Sequence, residues 1–236
     1  MTPERLTQGY YSETGTVLKR RDASREGQSL LLFLRQLGPR WVTAPAGNSK
    51  NRFGGGTEPL VWGEFSLYQS PSVLTLKAVE VKEDFLSLRT EPQKLLAALR
   101  VYRRAAEAAP VSFENDALLK LLWNTLLQLR ENVPPFIAEF RFAWRALSLM
   151  GSAPAFDRCT GCGALIEGGA TLSESGLLCP SCSHGEPRLS AGELAELAAS
   201  ALLPYDKLLL WAREPHKKET FTTNLKKMSP YFENMR

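Results

Sequence analysis

All four cysteines of this 236-residue chain fall between positions 159 and 182, in two pairs of identical spacing: Cys159-Thr160-Gly161-Cys162-Gly163 and Cys179-Pro180-Ser181-Cys182. Two Cys-x-x-Cys knuckles separated by residues 163–178 have the spacing at which four thiolates converge tetrahedrally on zinc. Gly161 and Gly163 suit such knuckles, because backbone N–H groups must turn in toward sulfur and glycine accepts that tight geometry. Four thiolates complete the coordination sphere and leave no position for water or substrate, so one structural zinc ion is expected. The alternative is four thiols, uncombined or paired as disulfides. A thioredoxin-like redox pair is disfavoured, since neither knuckle opens a helix after a strand in a βαβ unit. His184 follows the second knuckle, but four cysteines suffice and it is read as a surface residue.

No other residue pattern suggests catalysis. The chain lacks a phosphate-binding GxxxxGK[ST] loop, and Gly54-Gly55-Gly56 runs into Thr57-Glu58 without a lysine. Its two histidines, His184 and His216, sit in polar surroundings, and no carboxylate cluster has the spacing of a nuclease metal site. The expectation is a protein that is not an enzyme.

Charge is informative by its distribution. The net charge of +4 is modest, yet between Thr16 and Arg52 stand Lys19, Arg20, Arg21, Arg25, Arg35, Arg40, Lys50 and Arg52 against only Asp22 and Glu26. Aromatic residues are interleaved with them. Single-strand binders track phosphates with Lys and Arg while rings stack on bases. Trp41 and Phe53, beside Arg40 and Arg52, are the stacking candidates; Phe33, Trp62 and Phe65, flanked by apolar strand residues, are read as core. Nothing resembles a recognition helix, so binding without sequence preference is expected.

The elements that must position these residues divide the chain. Period-two alternation gives strands at Gly15–Lys19, Gln28–Leu37, Arg40–Pro45, Pro59–Gln69 and Val73–Glu83, which fit a small antiparallel barrel of the oligonucleotide/oligosaccharide-binding (OB) type or a partly closed meander. From Glu91 the period becomes helical: Pro92 to Pro110, Ala117 to Asn132, and Phe136 to Met150, ended by Gly151. A capping box at Ser190-Ala191-Gly192-Glu193 starts a helix that runs to Leu203, and Tyr205–Arg213 follows. Residues 214–236 are weakly patterned. The expected architecture is a multidomain α+β protein: a β-barrel at 1–85, and a helical domain at 91–236 with a four-cysteine zinc module inserted at 155–188.

At 44% hydrophobic and 23% charged residues the composition is that of a globular protein, and no apolar run is long enough to span a bilayer. Met1–Tyr10 has no signal-peptide pattern, and the clustered cysteines cannot staple distant segments as in secreted domains. A cytoplasmic protein is expected.

With these residues laid out, the chain resembles the RecO family of bacterial recombination mediators over most of its length up to Leu203. The most specific match is Arg141-Phe142-Ala143-Trp144-Arg145-Ala146-Leu147-Ser148-Leu149-Met150-Gly151-Ser152-Ala153-Pro154 leading into Cys159-Thr160-Gly161-Cys162-Gly163. Weaker matches are Thr16-Val17-Leu18-Lys19-Arg20, Leu30–Leu34, and Ala44–Gly47 leading to Lys50-Asn51-Arg52. Arg25-Glu26-Gly27 departs from the family's usual Gly-Glu order, and Thr222–Arg236 does not match. The resemblance implies an N-terminal OB-fold, a helical bundle and a zinc module. It also implies binding of single- and double-stranded DNA, annealing of complementary strands, and loading of RecA, with RecR, onto DNA coated by single-strand-binding protein. The acidic, apolar-ended tail of that protein requires a groove with basic rims, for which Arg100, Arg103, Arg104, Arg141 and Arg145 are the candidates; a solvated helix face with scattered arginines is the alternative. A zinc-ribbon scaffold that binds only protein is the competing reading.

Overall fold

The computed structural model describes residues 6–21, 27–46, 53–173, 176–185 and 188–233. Arg25, Lys50 and Arg52 lie outside the described residues. The chain forms two compact units, residues 1–126 and 127–236.

In the first unit, β1 (Gly9–Arg21), β2 (Gly27–Leu34), β3 (Gly38–Pro45), β4 (Trp62–Gln69) and β5 (Leu74–Glu83) close into a barrel of order β1-β2-β3-β5-β4. Strand β1 is longer than the sequence alternation indicates, because it serves two partners. Its first half pairs with β4, from Gly9 opposite Gln69 to Thr16 opposite Trp62, and its second half pairs with β2 as far as Arg21 opposite Ser29. A register shift between Val17 and Lys19 bends the strand from one partner to the next. Closure is completed where β3 meets β5 in parallel, Thr43 opposite Thr75. Val17, Leu30, Leu32, Leu34, Val42, Phe65, Leu67 and Leu76 fill the interior.

Helices α1 (Leu86–Arg89), α2 (Pro92–Ala108) and α3 (Asp116–Arg130) follow. Helix α2 packs on β1, and Tyr102 anchors it. The buried Tyr102 hydroxyl accepts from Trp62 Nε1–H at 2.7 Å and lies 2.9 Å from Thr16 Oγ1, which donates to the Val61 carbonyl. Burial raises the Tyr102 pKa, so the phenol stays protonated and its O–H is available to Thr16. Trp62 also meets Trp123 edge-on at 4.9 Å. These contacts place α2 and most of α3 in the compact unit of the barrel, whereas the sequence assigns 91–236 to one helical domain. Trp62 is buried as read, but against helical residues and not inside the barrel. Tyr102→Phe leaves a buried Trp62 N–H without its acceptor, so a loss of about 1–3 kcal/mol is expected by urea denaturation.

The second unit contains α4 (Pro135–Leu149), the hairpin β6 (Thr171–Ser173) and β7 (Gly176–Leu178), α5 (Pro180–Ser183), α6 (Ala191–Leu202), α7 (Tyr205–Trp211) and α8 (Lys218–Glu233). The Ser190/Glu193 capping box forms at the start of α6, as its spacing predicts. The weakly patterned tail is the helix α8, packed on α4. Phe221, Leu225, Met228 and Phe232 are its buried stripe, with Phe221 against Phe136 at 5.4 Å and Phe140 at 5.7 Å. Single apolar residues at helical spacing among Lys, Thr and Asn dilute the sequence signal there. Among the described residues no helix is long and apolar enough to cross a membrane.

Candidate functional site

The four cysteine sulfurs converge: all lie within 4.8 Å of one another, and Cys162 Sγ is 3.9 Å from Cys179 Sγ. A tetrahedron with metal–sulfur bonds of about 2.3 Å has edges near this length. His184 takes no part in the cluster; it is exposed, in the left-handed conformation that ends α5.

Local structure explains the convergence. The first knuckle is a turn in which Gly163 N–H donates to the Cys159 carbonyl at 2.8 Å, and the second is the single turn of α5, whose N-cap is Cys179. Thr160 N–H donates to Leu177 O at 2.8 Å and joins the first knuckle to β7. Two glycines permit the approach. A Cβ on Gly161 would lie 3.2 Å from Cys182 Sγ, and one on Gly176, at φ +125°, would strike Thr160 Oγ1 at 2.2 Å. Gly176 was not singled out by its sequence context, because its neighbour Thr160 belongs to the other knuckle.

The electrostatics fit a cation. Cys179 N–H donates to Cys159 Sγ at 3.3 Å, and this bond, with others from the Cys162 and Gly161 backbone, lowers the Cys159 pKa to about 6. Cys182, whose S–H donates toward the sulfurs of Cys162, Cys159 and Cys179, is pushed up to about 12. Four thiols so close cannot all ionise without a positive charge among them, and a divalent metal ion would supply it. All four donors are protein sulfur, so the group accommodates a structural ion.

The turn that precedes the cluster docks it on α4. Trp144 Nε1–H donates to the Pro154 carbonyl at 3.2 Å, and the Trp144 ring stacks on Phe156 at 5.3 Å, interplanar angle 25°. Arg141 and Arg145, expected on the rim of a partner groove, are engaged elsewhere. Arg141 is 2% exposed and donates to the carbonyls of Ser200, Ala201 and Leu203; Arg145 Nε–H donates to Ala201 O at 2.8 Å. Both guanidinium groups therefore complete the C-terminus of α6, where carbonyls lack helical partners and the helix dipole is negative. Burial, then the neighbouring Arg145 charge, lowers the Arg141 pKa to about 10. Of the other rim candidates, Arg104 is buried, Arg100 half-buried, and the exposed Arg103 is 3.9 Å from Glu107.

On the barrel, strand parity sorts the basic residues. Lys19 lies opposite Leu31, and Leu31 opposite Trp41, so Lys19 and Trp41 share an outward row. The Arg21 guanidinium sits 4.3 Å above the Trp41 ring. These three form an exposed or half-exposed cation–aromatic patch across β1 to β3. The remaining candidates are otherwise engaged. Arg20, of opposite parity, pairs with Glu58. Arg35 is 3.4 Å from Asp116, and Arg40 donates to the carbonyls of Leu37 at 3.1 Å and Ser112 at 3.5 Å. Phe53, expected to stack on bases, is half-buried against the barrel core. A further aromatic pair stands elsewhere on the barrel, in which Tyr10 is a residue the sequence pattern did not point to: Tyr10 on β1 and Tyr68 on β4, centroids 4.9 Å apart, with Lys77 Nζ 5.3 Å from the Tyr68 ring.

Comparison with known proteins matches residues 89–226 to the family model "Recombination protein O C terminal". Curated relatives are the DNA repair protein RecO of Moorella thermoacetica, 28% identical over 76% of this chain and 69% of the relative, and that of Acetivibrio thermocellus, 26% identical over 82% and 78%. The RecO of Symbiobacterium thermophilum is 27% identical over 78% and 77%. The matched region holds the cysteine cluster, the Trp144 docking turn and the arginine cap of α6. This chain belongs to the RecO family.

Proposed function

We propose that the protein is a DNA repair and recombination mediator without catalytic activity, acting in the bacterial cytosol on single- and double-stranded DNA. In this reading the barrel is an OB-fold that binds phosphates and bases, and zinc in the four-cysteine site holds the C-terminal module in shape. The observation that carries it is the Lys19–Arg21–Trp41 patch on a closed five-stranded barrel, in a chain whose relatives are DNA repair proteins. Annealing requires that phosphate repulsion between two strands be shielded while base edges remain free to pair. A basic surface without base-specific donors meets both conditions. The family further suggests that RecR and single-strand-binding protein are partners and that RecA is loaded onto the coated strand.

An annealing assay on complementary strands already coated with single-strand-binding protein, with RecR present or omitted, tests this reading. Accelerated duplex formation is expected; a rate equal to that without the protein refutes the mediator role. The patch is tested separately. Lys19→Gln with Arg21→Gln is expected to weaken oligonucleotide binding for all sequences and to lower the slope of log affinity against log salt by about 1.4, roughly 0.7 per single-strand phosphate contact. An unchanged slope, read by fluorescence anisotropy at several salt concentrations, removes these residues from the interface. Metal-dependent loss of intact DNA in the same tube would identify an enzyme instead.

A further inference from the structure

The residues paired around the barrel trace a continuous outward belt. Arg21 on β1 lies opposite Ser29 on β2, Ser29 opposite Thr43 on β3, and Thr43 opposite Thr75 on β5. Thr75 lies opposite Tyr68 on β4, and Tyr68 opposite Tyr10, back on β1. Their neighbours along the strands, Val42, Ala44, Leu67, Leu74 and Leu76, are interior, so alternation turns the belt residues outward. The middle of the belt carries the short hydroxyl side chains of Ser29, Thr43 and Thr75, which form its floor. Each end carries rings and a cation: Arg21 with Trp41 at one, Tyr10 and Tyr68 with Lys77 at the other.

Tyr10 is 78% exposed. It contributes little to the core, and its ring, tilted 54° from Tyr68, presents an open face. The surroundings, with Lys77, Gln8 bonded to the Tyr68 hydroxyl at 3.2 Å, and the hydroxyl floor, are polar. That composition suits a charged strand with stackable bases better than an apolar protein surface. Five interstrand steps of about 4.8 Å span roughly 24 Å from one end to the other, and OB barrels take about four nucleotides or more.

We propose that Tyr10, Tyr68 and Lys77 form a second nucleotide subsite, in which a base of single-stranded nucleic acid stacks on Tyr10 and Lys77 holds an adjacent phosphate, the strand crossing the Ser29–Thr43–Thr75 floor to the Arg21–Trp41 end. This rests on the barrel's being a DNA-binding surface. The whole chain is titrated with a fluorescent oligothymidylate long enough to span the belt, as wild type, Tyr10→Ala, Tyr10→Phe and Lys77→Gln, at several salt concentrations. Circular dichroism confirms that each variant folds. Tyr10→Ala is expected to lose between about fivefold and a hundredfold in affinity with an unchanged salt slope, and Tyr10→Phe to retain most of it, because stacking needs the ring. Lys77→Gln is expected to flatten the slope by about 0.7. Photocrosslinking of iodouridine-substituted oligonucleotide is expected to label Tyr10. Wild-type affinity and slope in both Tyr10→Ala and Lys77→Gln, with the wild type binding well, overturn the subsite and leave the tyrosine pair as a protein-docking surface. A wild type that does not bind at all overturns the DNA-binding reading itself.

Discussion

Cys159→Ser is expected to abolish metal retention and to unfold the segment from Phe156 to Leu189, the largest effect of any single substitution in the chain. The segment has little else to hold it. Strands β6 and β7 have three residues each, and among the described residues the buried apolar set there is Ala170, Leu172, Leu177 and Leu189 beside Cys159 itself. A two-stranded hairpin of this size is not stable alone in water, whereas structural zinc contributes on the order of 10 kcal/mol or more to small modules that bind it. Serine cannot replace the thiolate, and Cys159 is the sulfur that receives the Cys179 N–H. The checks are metal content of purified protein, expected to fall from about one equivalent to nearly none, and limited proteolysis, expected to cut between residues 160 and 185. A strong chelator should reproduce both in the wild type. Normal metal content and protease resistance in the variant would remove the cluster from its structural role. If the variant instead keeps its melting profile and loses DNA affinity, the module itself touches DNA.

Arg141→Met is expected to destabilise the second unit by about 3 kcal/mol, lowering its melting temperature by on the order of 10 °C. Methionine keeps much of the buried stem but none of the donors, so the carbonyls of Ser200, Ala201 and Leu203 lose their charged partner at the end of α6. Arg145 reaches only Ala201 and Leu203 and cannot substitute at Ser200. Arg141→Lys should recover part of the loss, since one ammonium cannot span carbonyls that the planar fork reaches from two nitrogens. Thermal unfolding followed by circular dichroism measures this directly. Unchanged melting in Arg141→Met would show that the bonds from Arg141 to these carbonyls contribute nothing to the stability of the unit. Oligonucleotide affinity per folded molecule is expected to stay at the wild-type value.

These cases show which parts of the site were legible. The cysteine cluster could be read because its chemistry is local: two knuckles place their own sulfurs, and a short hairpin brings them together. Helix ends were equally local, as the Ser190/Glu193 box shows. The family motif Arg141–Pro154 was recognisable as a string, but its reasons are tertiary. Arg141 serves a helix some sixty residues later, and Trp144 holds the turn into the cluster. A run of basic residues reads as one patch, yet Arg20, Arg35 and Arg40 are drawn off by Glu58, Asp116 and two carbonyls.

The amino-acid order by itself determined a cysteine quartet with metal-ligand spacing, a β-to-α change of period near residue 90, and a surplus of positive charge in the first strands. Each depends on neighbours a few residues apart, where covalent spacing decides what can meet. Only the tertiary structure decided which cations face outward, that α2 belongs with the barrel through Tyr102, and that Tyr10 stands against Tyr68. Barrel closure and the buried hydrogen bonds around Tyr102 join residues 32 to 86 positions apart, and composition carries no record of which partners they choose.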